Sequence, residues 1–262
     1  LPGHPWYVLV QADDAASDSD KIEAYREMIS DGNPAEFDEM RGEELWKTAG
    51  GPNKVVLEKT CDLGKGKGVV KGAYAEMPRY FKDTKMVQDL ESRLLTCMTT
   101  LQGIPEEQIT AKPFASDKKE SDISSLATYV VGQSKGMKMK VSTQHPKVKE
   151  AYEIGKRIFN YRAGPYDFAC STCHATSGVR IRMQDLPNMR SSKKDAQAAY
   201  TSWPAYRVSQ GLTRSFQWRL NDCFRQQRFP EPKFASEATI ALTTFLAVSA
   251  NGAEYVGPGL KR

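Results

Sequence analysis

The sequence predicts an all-α protein built from two tandem helical domains of one plan, with only the second equipped to hold a covalent cofactor. Three observations carry this reading. Short motifs recur in the same order in both halves, apolar residues recur at helical spacing with few strand signals between them, and a Cys-x-x-Cys-His motif stands in the second half alone. At 262 residues the chain is long enough for two small domains.

Taken in order, residues 1–32 form an N-terminal extension. Within it Ile22, Tyr25, Met28 and Ile29 recur at helical spacing and predict a short amphipathic helix over 21–30. The first ten residues lack the charged start and apolar middle of a secretion signal, and the chain opens without Met. It therefore reads as the mature, exported form of a protein whose leader has been removed. The first domain is placed at 33–135. Asn33-Pro34 is a helix start, and the helix it opens is expected to reach about Thr48 and to end at Gly50-Gly51. The loop from Gly64 to Gly68 is rich in Gly and Lys but lacks the spacing and the Lys-Ser/Thr ending of a phosphate loop. Residues 111–117, with Pro113, read as a connection. Residues 136–144 read as a linker, 145–252 as the second domain, and 253–262 as a C-terminal tail.

The repeat rests on four matches. Gly42-Glu-Glu-Leu-Trp46 corresponds to Gly155-Lys-Arg-Ile-Phe159, pairing a small residue with a large apolar and an aromatic one. Cys61-Asp-Leu-Gly64-Lys65 occupies the frame of Cys170-Ser-Thr-Cys173-His174. Arg93-Leu-Leu-Thr-Cys97 corresponds to Arg219-Leu-Asn-Asp-Cys223. Leu126 and Tyr129, in a helix ending at Gly136, correspond to Leu242 and Phe245, in a helix ending at Gly252. The first and last helices of each half are expected to cross.

Cys170-x-x-Cys173-His174 is the attachment signature of c-type haem: two thiols form thioethers and the adjacent His174 supplies an iron ligand. A redox dithiol would sit in a strand–turn–helix context and a zinc site would need further Cys or His nearby; neither is present. Sixth ligands of small cytochromes are commonly Met, yet from Arg190 onward the chain has neither Met nor His. Met183 and Met189 lie close to the motif and read as packing residues. Cys223 is the donor left at suitable distance, the competing reading being an inert buried thiol. A thiolate ligand would hold the reduction potential low. The first half, with Gly64 and Lys65 in place of Cys and His, cannot attach a haem this way, so one haem c per chain is expected. Cys61 and Cys97 flank that vacant frame and are candidates for a disulfide, which would add about 2–4 kcal/mol of stability. Arg214, Arg219, Arg225 and Arg228 surround Cys223. Arg219 is four residues before it and would share its helix face, and guanidinium groups suit oxyanions.

Composition is that of a soluble globular protein, 40% hydrophobic and 26% charged. A net charge of +5 is too small to argue for nucleic acid but suits a small anion or an acidic protein partner. No run of about 18 apolar residues is present; the most apolar stretch, 240–248, is interrupted by Thr243 and Thr244.

The Cys170-Ser-Thr-Cys173-His174 motif, the Arg219-Leu-Asn-Asp-Cys223 motif and the cytochrome-like first half together resemble the SoxA family, the larger cytochrome subunit of the SoxAX complex of bacterial thiosulfate oxidation, over roughly residues 33–252. The resemblance implies two cytochrome c domains, of the type that keeps a disulfide where the first haem was lost. It implies a periplasmic L-cysteine S-thiosulfotransferase that pairs with a SoxX-like cytochrome subunit as a heterodimer. Such an enzyme joins thiosulfate oxidatively to a cysteine of a SoxYZ-like carrier. It further implies that Cys223 is an active-site haem ligand able to carry a persulfide, and that Arg219 and Arg190 bind substrate. On the residues alone, a plain electron-transfer cytochrome with Cys223 tuning the potential, or a haem sensor in which Cys223 is displaced by a ligand, stays open.

Overall fold

The structure is a computed structural model that describes residues 32–116, 119–181 and 184–261. The helix expected over 21–30, together with His4 and Met183, lies outside the described residues. Among the described residues ten α-helices follow one another: α1 Ala35–Lys47, α2 Leu57–Thr60, α3 Leu90–Thr100, α4 Glu106–Thr110, α5 Asp122–Gly132, α6 Pro146–Asn160, α7 Cys170–His174, α8 Lys193–Thr201, α9 Phe216–Gln226 and α10 Glu237–Ser249. None of these is long and apolar enough to cross a membrane.

Each half is framed by two crossed helices, as the repeat predicts, and a glycine explains why they approach so closely. A Cβ added at Gly42 of α1 would lie 2.0 Å from the backbone oxygen of Ser125 in α5. A Cβ added at Gly155 of α6 would lie 2.0 Å from the oxygen of Ala241 in α10. Only a residue without a side chain permits either crossing. The helix starts follow from local chemistry. Ser121, Ser215 and Ser236 accept the amide hydrogen three residues on through their hydroxyls, and Asp89 does so through its carboxylate.

The equivalence of the halves reaches beyond the four motifs. Residues 74–97 match 200–223 without a gap. Both stretches enter a hairpin through a cis X-Pro bond, Met77-Pro78 and Trp203-Pro204. The hairpins are β1 Arg79–Phe81 with β2 Met86–Gln88, and β3 Ala205–Arg207 with β4 Leu212–Arg214; Phe81 is registered on Met86 and Arg207 on Leu212. Each hairpin feeds a capped helix, α3 or α9, that carries the Arg and Cys of the repeat. These ladders are too short to change the helical class of the fold, and they lack the long apolar alternation that would signal them in sequence.

Equivalent positions also meet each other. Tyr74 and Tyr200 stack with ring centroids 5.8 Å apart and planes 7° apart. Gln217 Nε2 donates to Asp89 Oδ2 at 2.6 Å, while Ser215, the counterpart of Asp89, donates to Glu91, the counterpart of Gln217. The halves thus face each other about an approximate two-fold axis, and a single buried apolar cluster, running from Trp46 and Leu94 to Trp203 and Leu242, passes through both.

The segments read as linker and tail are packed against each other. Met139 and Val141 are buried, and so is Tyr255. Tyr255 N donates to Met137 O at 2.8 Å and Gly136 N to Tyr255 O at 2.8 Å, while Asn251 bonds the backbone of Val141 through both its amide atoms. Strand β5, Gly259–Lys261, then joins β3 in parallel, with Lys261 opposite Arg207. Asn33 Nδ2 donates to Pro258 O at 2.9 Å, which ties the tail to the start of α1. These polar, glycine-bearing segments look like connectors because their backbone partners lie fifty or more residues away in the chain.

Candidate functional site

The short helix α7 and the long helix α9 supply facing walls of a cavity of about 410 Å³ in the second half. Cys170 and His174 line it from α7; Phe216, Arg219, Leu220 and Cys223 line it from α9. Leu242 and Leu246 of α10 and Phe159 of α6 add apolar wall. The size and the mainly apolar lining, with a few polar groups converging on it, are those of a cofactor site.

His174 is oriented by its far nitrogen. Nδ1 lies 3.0 Å from Pro187 O, and since a carbonyl only accepts, Nδ1 carries the hydrogen and Nε2 is left as the donor atom. Burial pushes the imidazole pKa down against the opposing pull of that hydrogen bond, which favours the neutral form that ligates metal. Burial likewise raises Cys170, to about 12, with the nearby Cys223 and Cys173 adding to the shift. Cys223 is raised by burial first, while Arg219 pulls the other way. Two thiols in the attachment spacing, a pre-oriented neutral imidazole and an apolar cavity fit a covalently attached haem. Cys170 and Cys173 would hold it and His174 would ligate its iron from one side; Cys223 is the soft donor available on the opposing helix.

Not every residue singled out in the sequence reaches this cavity. Cys173 does not line it, although its charge is felt by both other thiols. Arg190 is exposed and outside the lining, its backbone amide donating to Asn188 Oδ1. Arg225 and Arg228 are exposed, and Arg214 turns toward Trp218, with its guanidinium 4.9 Å from the ring, in a region where it feels the charge of Glu120 of the first half. Met189 does line the cavity, as a packing residue would, and its amide donates to His174 O at 2.8 Å. His145 caps α6 and stacks on Tyr80 at 3.9 Å, far from any ligand role.

The first half differs at the corresponding residues. Cys61 and Cys97 form the expected disulfide, with Cα atoms 5.6 Å apart and both residues buried. Arg93, the counterpart of Arg219, donates through Nε to Asp62 O at 2.7 Å and through Nη1 to Asp83 at 2.7 Å, with its guanidinium 4.0 Å over Phe81.

Sequence reading missed Tyr200, Trp203, Arg207 and Lys261 on the cavity wall, and Asp222 behind it. An ungapped alignment of 74–97 with 200–223 would have found Tyr200 through Tyr74. Lys261 carries no local signal, since only the parallel pairing of β5 brings it there.

Comparison with known proteins agrees with this architecture. The profile of the SoxA/TsdA cytochrome c domain matches residues 41–139, most of the first half. The chain is 51% identical over 250 residues to the L-cysteine S-thiosulfotransferase subunit SoxA of Hydrogenophilus thermoluteolus, covering 95% of this chain and 90% of that one. It is 37% identical to a protein of the same description from Hydrogenobacter thermophilus, over 74% of this chain and 69% of that one. The fold is shared with the crystal structure of SoxXA from P. pantotrophus, with a TM-score of 0.70 at 24% identity, over 88% of this chain and 79% of that one. With its cytochrome c plan, its haem-attachment motif and these relatives, the chain belongs to the SoxA family of L-cysteine S-thiosulfotransferase subunits.

Proposed function

We propose that the chain is the sulfur-transferring cytochrome subunit of a periplasmic thiosulfate-oxidising complex and that it joins thiosulfate to the cysteine of a SoxYZ-like carrier protein. It would work as a heterodimer with a SoxX-like cytochrome, the partnership named for its structural relative from P. pantotrophus. Cys170 and Cys173 would hold one haem c, and His174 and Cys223 would supply the ligands to its iron. The observation that carries the reading is that Arg219 and Cys223, one helical turn apart on α9, line the same cavity as Cys170 and His174.

The chemistry balances as an oxidative coupling. An S–S bond forms between the terminal sulfur of thiosulfate and the carrier thiol, and one proton and two electrons leave. A haem held there would supply one-electron acceptor chemistry, and the partner cytochrome would be the oxidant that takes the two electrons on. Arg219 holds the sulfonate end of thiosulfate by charge-assisted hydrogen bonds and fixes the dianion against the cavity wall. Cys223 offers its sulfur next to that anion, and as a persulfide its outer sulfur would meet the substrate while the inner one stays on the chain. The apolar wall formed by Phe216, Leu220 and Leu242 excludes water and strengthens the attraction between guanidinium and anion. The disulfide-locked first half contributes scaffold rather than chemistry.

Turnover of thiosulfate by the holoprotein with its carrier and partner tests the reading. The Cys223→Ala variant should lose it, and a peptide containing Cys223 should show one removable extra sulfur by mass. Full thiosulfate-dependent turnover in that variant would leave a plain electron-transfer cytochrome.

A further inference from the structure

We propose that Asp222 is a positioning residue for Arg219, a buried carboxylate that holds the anion-binding guanidinium in place beside Cys223; this rests on the reading of Arg219 given above. The Asp222 side chain is 6% exposed and does not itself line the cavity. Its Oδ2 accepts from Arg219 Nη1 at 3.0 Å and from Gln226 Nε2 at 2.7 Å, and its Oδ1 accepts from Arg225 Nη2. The spacing follows from the helix: Asp222 is three residues beyond Arg219 and four before Gln226, so the three side chains share one strip of α9. Cys223 lies four residues beyond Arg219, so one guanidinium is flanked by the carboxylate behind and the sulfur in front.

The first half supplies the control. Position 96 there, the counterpart of Asp222, is Thr, whose hydroxyl accepts from Gln88 Nε2 and donates to Ser92 O. Arg93 is held instead by Asp83 of the hairpin loop, whose counterpart in the second half is Ser209. Where the arginine is drawn into the loop between β1 and β2, the carboxylate sits in that loop. Where the arginine must face a cavity, the carboxylate has moved onto the helix behind it. An arginine has five N–H donors in a fixed fork, so anchoring one of them orients the rest. A flexible Arg219 would have to be ordered by each arriving anion, at a cost to affinity and alignment.

A double-variant cycle tests this in the holoprotein with its carrier and partner. Asp222→Asn is expected to lower kcat/KM for thiosulfate about 10-fold and to reduce the thermal stabilisation of the protein by added thiosulfate, with the haem absorption spectrum unchanged. Combined with Arg219→Ala it should do no further harm, because its effect passes through that guanidinium. Asp222→Glu keeps the carboxylate, should recover part of the loss, and carries the same cycle if the amide variant fails to fold. A double variant whose losses multiply, or an Asp222→Asn protein with wild-type kcat/KM, overturns the positioning role while leaving Arg219 in place. An Arg219→Ala protein with wild-type turnover and wild-type stabilisation by thiosulfate overturns both.

Discussion

Arg93 and Arg219 occupy equivalent places on α3 and α9, each four residues before a cysteine, and they meet opposite fates. Arg93 is buried, its donors given to Asp62 O, Asp83 and Gln88, and its cysteine is closed into a disulfide. Arg219 stays partly exposed on a cavity wall, its cysteine free of any disulfide and one turn away. One helical frame therefore serves as structure in one half and as a site in the other. What separates them is a handful of side chains: Gly64 and Lys65 where the second half has Cys173 and His174, a hairpin carboxylate at 83, and a helix carboxylate at 222.

The comparison can be broken most sharply at the cysteines. Cys223→Ala should drop thiosulfate turnover to background, whereas replacing Cys61 and Cys97 together by Ala should leave the rate constant at 25 °C near wild type and lower stability by about 2–4 kcal/mol, read as a lower Tm. A loss of turnover in the paired variant at a temperature where it is folded would mean that the first half takes part in the chemistry. The arginines come next. Arg219→Ala should cut kcat/KM about 100-fold with little change in Tm. Arg93→Ala should do the reverse, removing about 3 kcal/mol of stability by leaving Asp62 O without its donor and the ring of Phe81 without the guanidinium over it, and touching kinetics little. The crossing glycines should behave alike: Gly42→Ala and Gly155→Ala each force a helix pair apart, at a cost of about 2–4 kcal/mol. A silent variant in one half would show that the two crossings are not equivalent.

The smallest effect concerns the contact between the halves. Burial, and then the charge of Asp89, raise Glu91 from its ordinary value of 4.5 to about 8. The native protein keeps a proton there that the unfolded chain releases, so the stability contributed by this carboxyl is complete below pH 4.5 and is lost as pH climbs toward 8. Glu91→Gln should flatten the fall of Tm across that window. Glu120, raised to about 8 mainly by burial, should leave its own remaining slope.

Some of this molecule is legible in its amino-acid sequence. The haem motif, the Arg–x–x–x–Cys pair and the small residues at 42 and 155 announce themselves because their chemistry is local: a fixed spacing, a helix face, a missing Cβ. The disulfide is legible by elimination among five cysteines. Asp222 stands next to Cys223 in the chain, but an acidic residue on a helix is usually solvated, and only its burial against Arg219 gives it a role. Tyr200 and the tail strand are hidden for a different reason. Their partners, Tyr74 and β3, are distant in sequence, and three residues of strand carry no periodicity to detect. Arg190 shows the converse, a basic residue near the motif that the fold turns outward.

The stacked Tyr74 and Tyr200 join like position to like, and the pairs Asp89–Gln217 and Glu91–Ser215 are reciprocal images of each other about the same axis. That is the contact two copies of one domain make when they dimerise. Placing both copies on one chain turns an association that depends on concentration into one held at an effective concentration of roughly millimolar or more, whatever the dilution outside. A copy kept in place in this way is retained for the surface it covers, and its own cofactor site is then free to decay. On that view the first half is a subunit made permanent, and its grip on its sister rests on tyrosines, carboxylates and amides rather than on any residue of a cofactor motif.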